Sequence, residues 1–106
     1  MARALVTVPP TVRRGEAFEV RTLIGYPMET GYRAGDAGSL LPRNIIRRFA
    51  CRYDGDTVFS AELYPAVAAN PLLSFFTVAT ASGPLTCTWE GDNGFTHTET
   101  VAINVT

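Results

Sequence analysis

Apolar and polar residues alternate along most of this chain with the two-residue period of β-strands. Residues 16–24, EAFEVRTLI, put Phe18, Val20 and Ile24 on one face and Glu19 and Arg21 on the other. Residues 45–53, IIRRFACRY, do the same with Phe49, Cys51 and Tyr53 against Arg48 and Arg52. Residues 85–90, LTCTWE, align Leu85, Cys87 and Trp89. Four more stretches read as strands: 3–8 (RALVTV, stopped by Pro9-Pro10), 57–63 (TVFSAEL), 72–81 (LLSFFTVATA) and 95–105 (FTHTETVAINV). Asp54-Gly55 and the Gly91–Gly94 run are hairpin signals, and Ser82-Gly83-Pro84 turns the chain. The proline-bracketed segment 64–71 has room for one helical turn at most.

Seven short strands with a turn every ten or so residues, and no helical period, predict an all-β fold. The expected architecture is an antiparallel β-sandwich of immunoglobulin-like type. It is not the antibody pattern, because Trp89 follows both cysteines instead of lying between them.

Composition narrows the classes. A chain of 106 residues reads as a single domain over 1–106, large enough for a core of its own. Hydrophobic residues make up 46% and charged residues 18%, which leaves apolar surface outside and favours a partner chain. The net charge of −1 gives no nucleic-acid footprint, and no apolar run approaches a membrane span. The opening MARALVTVPPTV reads as a strand, too short in apolar length for a secretory signal. The chain then stays inside the cell, has lost a signal, or leaves with a partner. All nine basic residues are arginine, so lysine Schiff-base chemistry is excluded.

Candidate chemistry is sparse. His97, the single histidine, shares a strand face with Glu99, which could orient its imidazole, but no sharp turn presents a nucleophile. The simpler reading is a strand histidine. A blue-copper site needs two histidines with a cysteine, and zinc needs paired ligands at short spacing; neither set is present, and no cofactor is expected. Cys51 and Cys87 point inward by parity, as a cross-strand disulfide or as two packed thiols, and the apolar surroundings favour packed thiols. Arg43, Arg47, Arg48 and Arg52 cluster within ten residues, either as a solvated face or as a dock for an acidic partner or small anions. Asn104-Val105-Thr106 matches a glycosylation sequon and is best read as chance.

The segment 25–44, GYPMETGYRAGDAGSLLPRN, is far longer than a turn needs. Its tyrosines, leucines and methionine are residues that disordered segments avoid. It is expected to be an ordered recognition loop, with Met28 and the tyrosines as apolar anchors. YPMETGYR within it, followed by LPRNIIRRFACRYDG, FSAELYPAVAANPLLSFFTVAT and TWEGDNG, resembles the SoxZ family of bacterial thiosulfate oxidation, in order and over nearly the whole chain.

The resemblance implies a non-catalytic subunit that forms a heterodimer with SoxY. SoxY carries sulfur intermediates on a cysteine in a flexible GGCGG arm, which pathway enzymes visit. It also implies periplasmic residence, the chain being exported folded with its signal-bearing partner. Contacts with SoxY or visiting enzymes are then expected from Tyr26, Met28, Tyr32, Arg43, Arg48 and Arg52. Tyr26 stands where the family often has histidine, so a role of that histidine does not transfer. Cys51 matches a cysteine common in relatives while Cys87 does not, so a bridge between them would be a local addition. Two other functions compete: a stand-alone β-sandwich binding or adhesion module, and a small redox enzyme using Cys51 and Cys87. An isolated subunit with exposed apolar strands could also pair with itself as a homodimer.

Overall fold

The computed structural model describes residues 3–32, 34, 35, 38–64, 67 and 69–106. Seven strands follow one another: β1 (Arg3–Thr7), β2 (Ala17–Gly25), β3 (Ile46–Tyr53), β4 (Asp56–Glu62), β5 (Leu72–Val78), β6 (Gly83–Gly91) and β7 (Thr96–Ile103). They form two antiparallel sheets, β1-β2-β5 and β4-β3-β6-β7. This is the expected all-β sandwich, with each strand within a few residues of its predicted span. Residues 65, 66 and 68, within the segment expected to hold one helical turn, lie outside the described residues; Val67 there donates its N–H to the Tyr64 carbonyl. No helix among the described residues is long and apolar enough to cross a membrane.

Turn chemistry explains the connections. Asp54 and Gly55 both take positive φ, +50° and +90°, as the tight β3–β4 hairpin requires. Between β6 and β7 a short 3₁₀ turn at Asp92–Gly94 places Asn93 and Gly94 in the left-handed region.

The core lies where the predicted parity put it. Phe18, Val20 and Ile24 face Phe49, Cys51, Tyr53, Leu85, Cys87 and Trp89, all buried. Aromatic pairs tie the sheets together. Phe18 on β2 meets Tyr53 on β3 edge-on at 6.1 Å, and Phe75 on β5 stacks on Phe59 of β4 at 4.6 Å. Thr22, buried beside them, donates its hydroxyl to the Leu73 carbonyl at 2.8 Å. The Tyr53 hydroxyl donates to the Ala81 carbonyl and accepts from the N–H groups of Thr80 and Ala81, pinning the β5–β6 turn.

One expectation is corrected inside this core. Cys51 and Cys87 are directly opposite across β3 and β6, with Cα atoms 4.2 Å apart, and they form a disulfide. Parity places both side chains inward but does not reveal that they share one cross-strand row. In that row the two sulfurs are immediate neighbours, and a neutral disulfide suits an apolar interior as well as two thiols do. Unlike the antibody bridge, it joins strands of one sheet.

The protein unfolded in denaturant without reductant is expected to show no reactive thiol. Replacing both cysteines by serine should lower unfolding free energy by about 3 kcal/mol, the scale for closing a loop of this order, read as a shifted denaturation midpoint.

Candidate functional site

The described residues of the 25–44 segment form a folded arm with backbone pairing of its own. Glu29 and Asn44 exchange both backbone hydrogen bonds at 2.9 and 2.7 Å, and Gly35 donates to Ser39 further out. The root of the arm belongs to the core. Tyr26 is 8% exposed and Met28 4%. The Tyr26 hydroxyl donates to Asn44 Oδ1, its N–H donates to Asn70 Oδ1, and its carbonyl accepts from Asn70 N–H. Burial, opposed by the Asn44 hydrogen bond, raises its phenol above the ordinary value. Met28 sits at φ +51° with its sulfur accepting the buried N–H of Ile46 at 3.2 Å. Tyr26 and Met28, expected as apolar anchors toward a partner, are buried in this chain as interior supports of the arm. Tyr32, by contrast, is 81% exposed.

A carboxylate 49 residues away fastens the arm. Arg43 grips Asp92 with both ends of its fork, Nε and Nη2, at 2.9 Å each. Arg47 Nε lies 3.1 Å from the same carboxylate, and Ile45 N–H donates to it at 3.2 Å. The Arg43 hydrogen bonds, more than burial opposes them, hold the Asp92 carboxyl below its usual value, with Ile45 and Arg47 adding to the effect.

Arg43, Arg47 and Arg48 line an open groove of about 400 Å³ together with Glu62, Glu90 and Tyr64. The register seats Arg48 between Glu62 on β4 and Glu90 on β6, and Tyr64 donates its hydroxyl to Glu62 at 2.9 Å. Two guanidinium groups, Arg43 and Arg47, thus share the Asp92 carboxylate, while Arg48 has Glu62 and Glu90 as its register neighbours. Of the two readings of the arginine cluster, a solvated face or a dock, the structure adds that the cations are local in sequence while the acidic residues beside them come from other parts of the chain. Arg52 lies at the far end of β3 and donates to the Gly55 carbonyl of its own hairpin at 2.9 Å. Of the six residues expected to meet a partner, Tyr32 and Arg48 remain outward and unburied, Arg43 and Arg52 are tied down locally, and the six do not converge on one spot.

The remaining chemistry keeps its simpler reading. His97 Nε2 lies 2.9 Å from Glu99 Oε1, and its ring packs 6.1 Å from Trp89. Among the described residues no three metal-ligating side chains come together.

A second surface escaped residue-by-residue reading. The outer face of the β1-β2-β5 sheet carries Leu5, Leu23, Leu72, Phe76 and Val78, with Leu72 and Phe76 67% and 68% exposed. The signal was present in β5, where LLSFFTV is apolar at both parities. Leu73 and Phe75 turn inward, Leu72, Phe76 and Val78 outward. A strand apolar on both faces is the pattern of a sheet covered on both sides. The outer face of the other sheet differs. Thr86 meets Thr100 and Thr88 meets Thr98 in polar pairs, beside Arg48 and its flanking glutamates.

Two measurements check the arm. Met28→Leu keeps the volume but leaves the Ile46 N–H buried without its acceptor, so unfolding free energy should drop by about 1–3 kcal/mol in chemical denaturation. For Asp92 the folded-state carboxyl lies below the unfolded value of 3.8. Its stabilisation is therefore present above that value and lost as the pH falls through the depressed one. Thermal melts should show a lower Tm for Asp92→Asn at neutral pH, and a gap to the parent that narrows as the pH falls below 3.8.

No curated protein sequence matches the chain. In fold it is similar to superoxide reductase (neelaredoxin) from Ignicoccus hospitalis, at 17% identity and a TM-score of 0.75, covering 97% of this chain and 80% of that one. The sulfur carrier protein SoxY from Chlorobium limicola f thiosulfatophilum is similar at 12% identity and a TM-score of 0.68, covering 97% of this chain and 78% of that one. A putative superoxide reductase from Thermotoga maritima matches at 16% identity and a TM-score of 0.73, with 97% and 85% covered. These likenesses are of fold. In sequence, the family model of the sulphur oxidation protein SoxZ matches residues 6–102, and the chain belongs to the SoxZ family.

Proposed function

We propose that this chain is the non-catalytic half of a heterodimeric sulfur carrier in bacterial thiosulfate oxidation. Its partner is SoxY, whose arm cysteine bears the sulfur while this chain supports and presents it to visiting enzymes. The family match over residues 6–102 carries the reading. The cysteines support it. Both are fully buried and bonded to one another, so neither offers the exposed thiolate that sulfur transfer needs. The same burial weighs against the redox-enzyme alternative. His97, engaged with Glu99 and Trp89, supports no nucleophile of its own.

The proposed compartment is the periplasm. A buried structural disulfide suits an oxidising compartment, where such bonds form and persist. Export together with a signal-bearing partner would take the chain there already folded.

The test is native mass measurement of the purified chain with and without SoxY at micromolar concentration. A one-to-one complex is expected. Two separate species at every ratio would count decisively against the partnership. The chain alone should turn over no thiosulfate.

A further inference from the structure

We propose that the Cys51–Cys87 bond is closed to sulfur nucleophiles for as long as the sandwich is folded, and opens only in a chain whose two sheets have parted. The behaviour of the bond follows from its surroundings alone. Its consequence for sulfur transfer rests on the reading of the chain as half of a carrier heterodimer.

Thiol–disulfide exchange sets the terms. A thiolate attacks one sulfur of the bond, a mixed disulfide forms with it, and the other cysteine leaves as a thiolate. The attacker therefore needs room against one of the two sulfurs. The leaving cysteine needs surroundings that tolerate negative charge, such as a nearby cation.

The fold denies both. Cys51 and Cys87 are each 0% exposed. They lie on β3 and β6, the two interior strands of the four-stranded sheet. Their row crosses that sheet as Phe59, Cys51, Cys87 and Glu99. The inward rows on either side pair Phe49 with Trp89 and Tyr53 with Leu85, all buried. At the β4 end, Phe59 stacks on Phe75 of the opposite sheet at 4.6 Å and closes that approach. At the β7 end stands the Glu99 carboxylate, engaged by His97 at 2.9 Å. A negative group there repels an incoming thiolate and gives no support to a departing one. The arginines of β3 cannot take that part, because Arg48 and Arg52 alternate onto the exposed face of the sheet.

Local motion offers no entry either. Fraying of β4 or β7, the edge strands, leaves Phe49, Trp89, Tyr53 and Leu85 packed around the sulfurs. The path that uncovers them is the opening of the sandwich itself. A subunit held beside a sulfur-loaded cysteine meets thiolates and persulfides, the class of nucleophile that breaks disulfides. A bond sealed in this way neither captures the transferred sulfur nor is lost to it.

The experiment follows opening of the bond in the purified, oxidised chain along a urea series at neutral pH. Dithiothreitol is one nucleophile; inorganic sulfide, the smallest of the class, is the other. Each is used where the rate scales with its concentration. Samples are quenched by alkylation and weighed, and the fluorescence of Trp89, the single tryptophan, reports unfolding in the same series. Without urea the bond should open at least about a thousandfold more slowly than in the unfolded chain, the lower end of unfolding constants for small domains. The logarithm of the rate should climb with urea along the slope of global unfolding, for both nucleophiles. Weaker protection, a slope under half the global one, or a urea-independent attack by sulfide would each reveal a local path to the sulfurs and overturn the proposal. The carrier is absent from this assay, so failure here leaves the partnership standing. Failure to form a complex with SoxY would remove only the consequence for sulfur transfer.

Discussion

A two-layer sandwich has one interior, and β5 brings two apolar faces to it. Phe75 satisfies the inner one by stacking on Phe59 across the sheets. Leu72, Phe76 and Val78 are left on the outside, where each forgoes about 1.5–3 kcal/mol available from full burial. The opposite outer surface shows how the same fold solves the problem when no cover is needed, with threonine pairs and an arginine between two glutamates. The two outer faces thus differ in chemistry, one carrying paired threonines and charges and the other exposed leucines, Phe76 and Val78.

The arginine-rich stretch illustrates a different constraint, the neutralisation of charge from a distance. Asp92 draws Arg43 and Arg47 together and takes the Ile45 N–H as well. The contact depends on a close approach: a Cβ on Gly91 would stand 2.7 Å from the Ile45 carbonyl oxygen, which a side chain there could not tolerate. Gly91 lets the end of β6 lie against the chain just before β3, and Asp92 then reaches the root of the arm. The arm is held on one side by this charge cluster and on the other by Tyr26, Asn44 and Asn70. Its outward residues, Tyr32 among them, extend from a rigid base.

Legibility in the sequence followed the range of the interaction. Strand parity is local, and it identified Phe18, Val20, Ile24, Phe49, Leu85 and Trp89 as core without knowledge of any partner strand. Turn chemistry is equally local, and Asp54-Gly55 behaved as its residue types demand. What depended on pairing was not legible. Cys51 and Cys87 needed the β3–β6 register before a bond could be inferred, and Met28 needed the Ile46 N–H, 18 residues on, before it became an interior acceptor. The glycines and tyrosines of the arm gave its length and order but not the fact that its root is core. The exposed face of β5 was readable in principle from its double apolarity, but only in the knowledge that β5 would lie at the edge of a two-layer fold.

The fold itself is permissive about function. Sandwiches of this shape bear the names of a reductase and of a sulfur carrier, at identities too low for residue roles to pass between them. What distinguishes this chain is how its reactive groups are held. Both cysteines are bonded in the core, the histidine is held by a glutamate, and Arg43 and Arg47 are paired with Asp92. Among the described residues, the two cysteines, the histidine and the Arg43–Arg47 pair are each engaged by another part of the same molecule. The apolar side chains of the outer β1-β2-β5 face have no such internal partner. In this structure the described reactive groups are bound up internally, while the apolar side chains of that outer face are not.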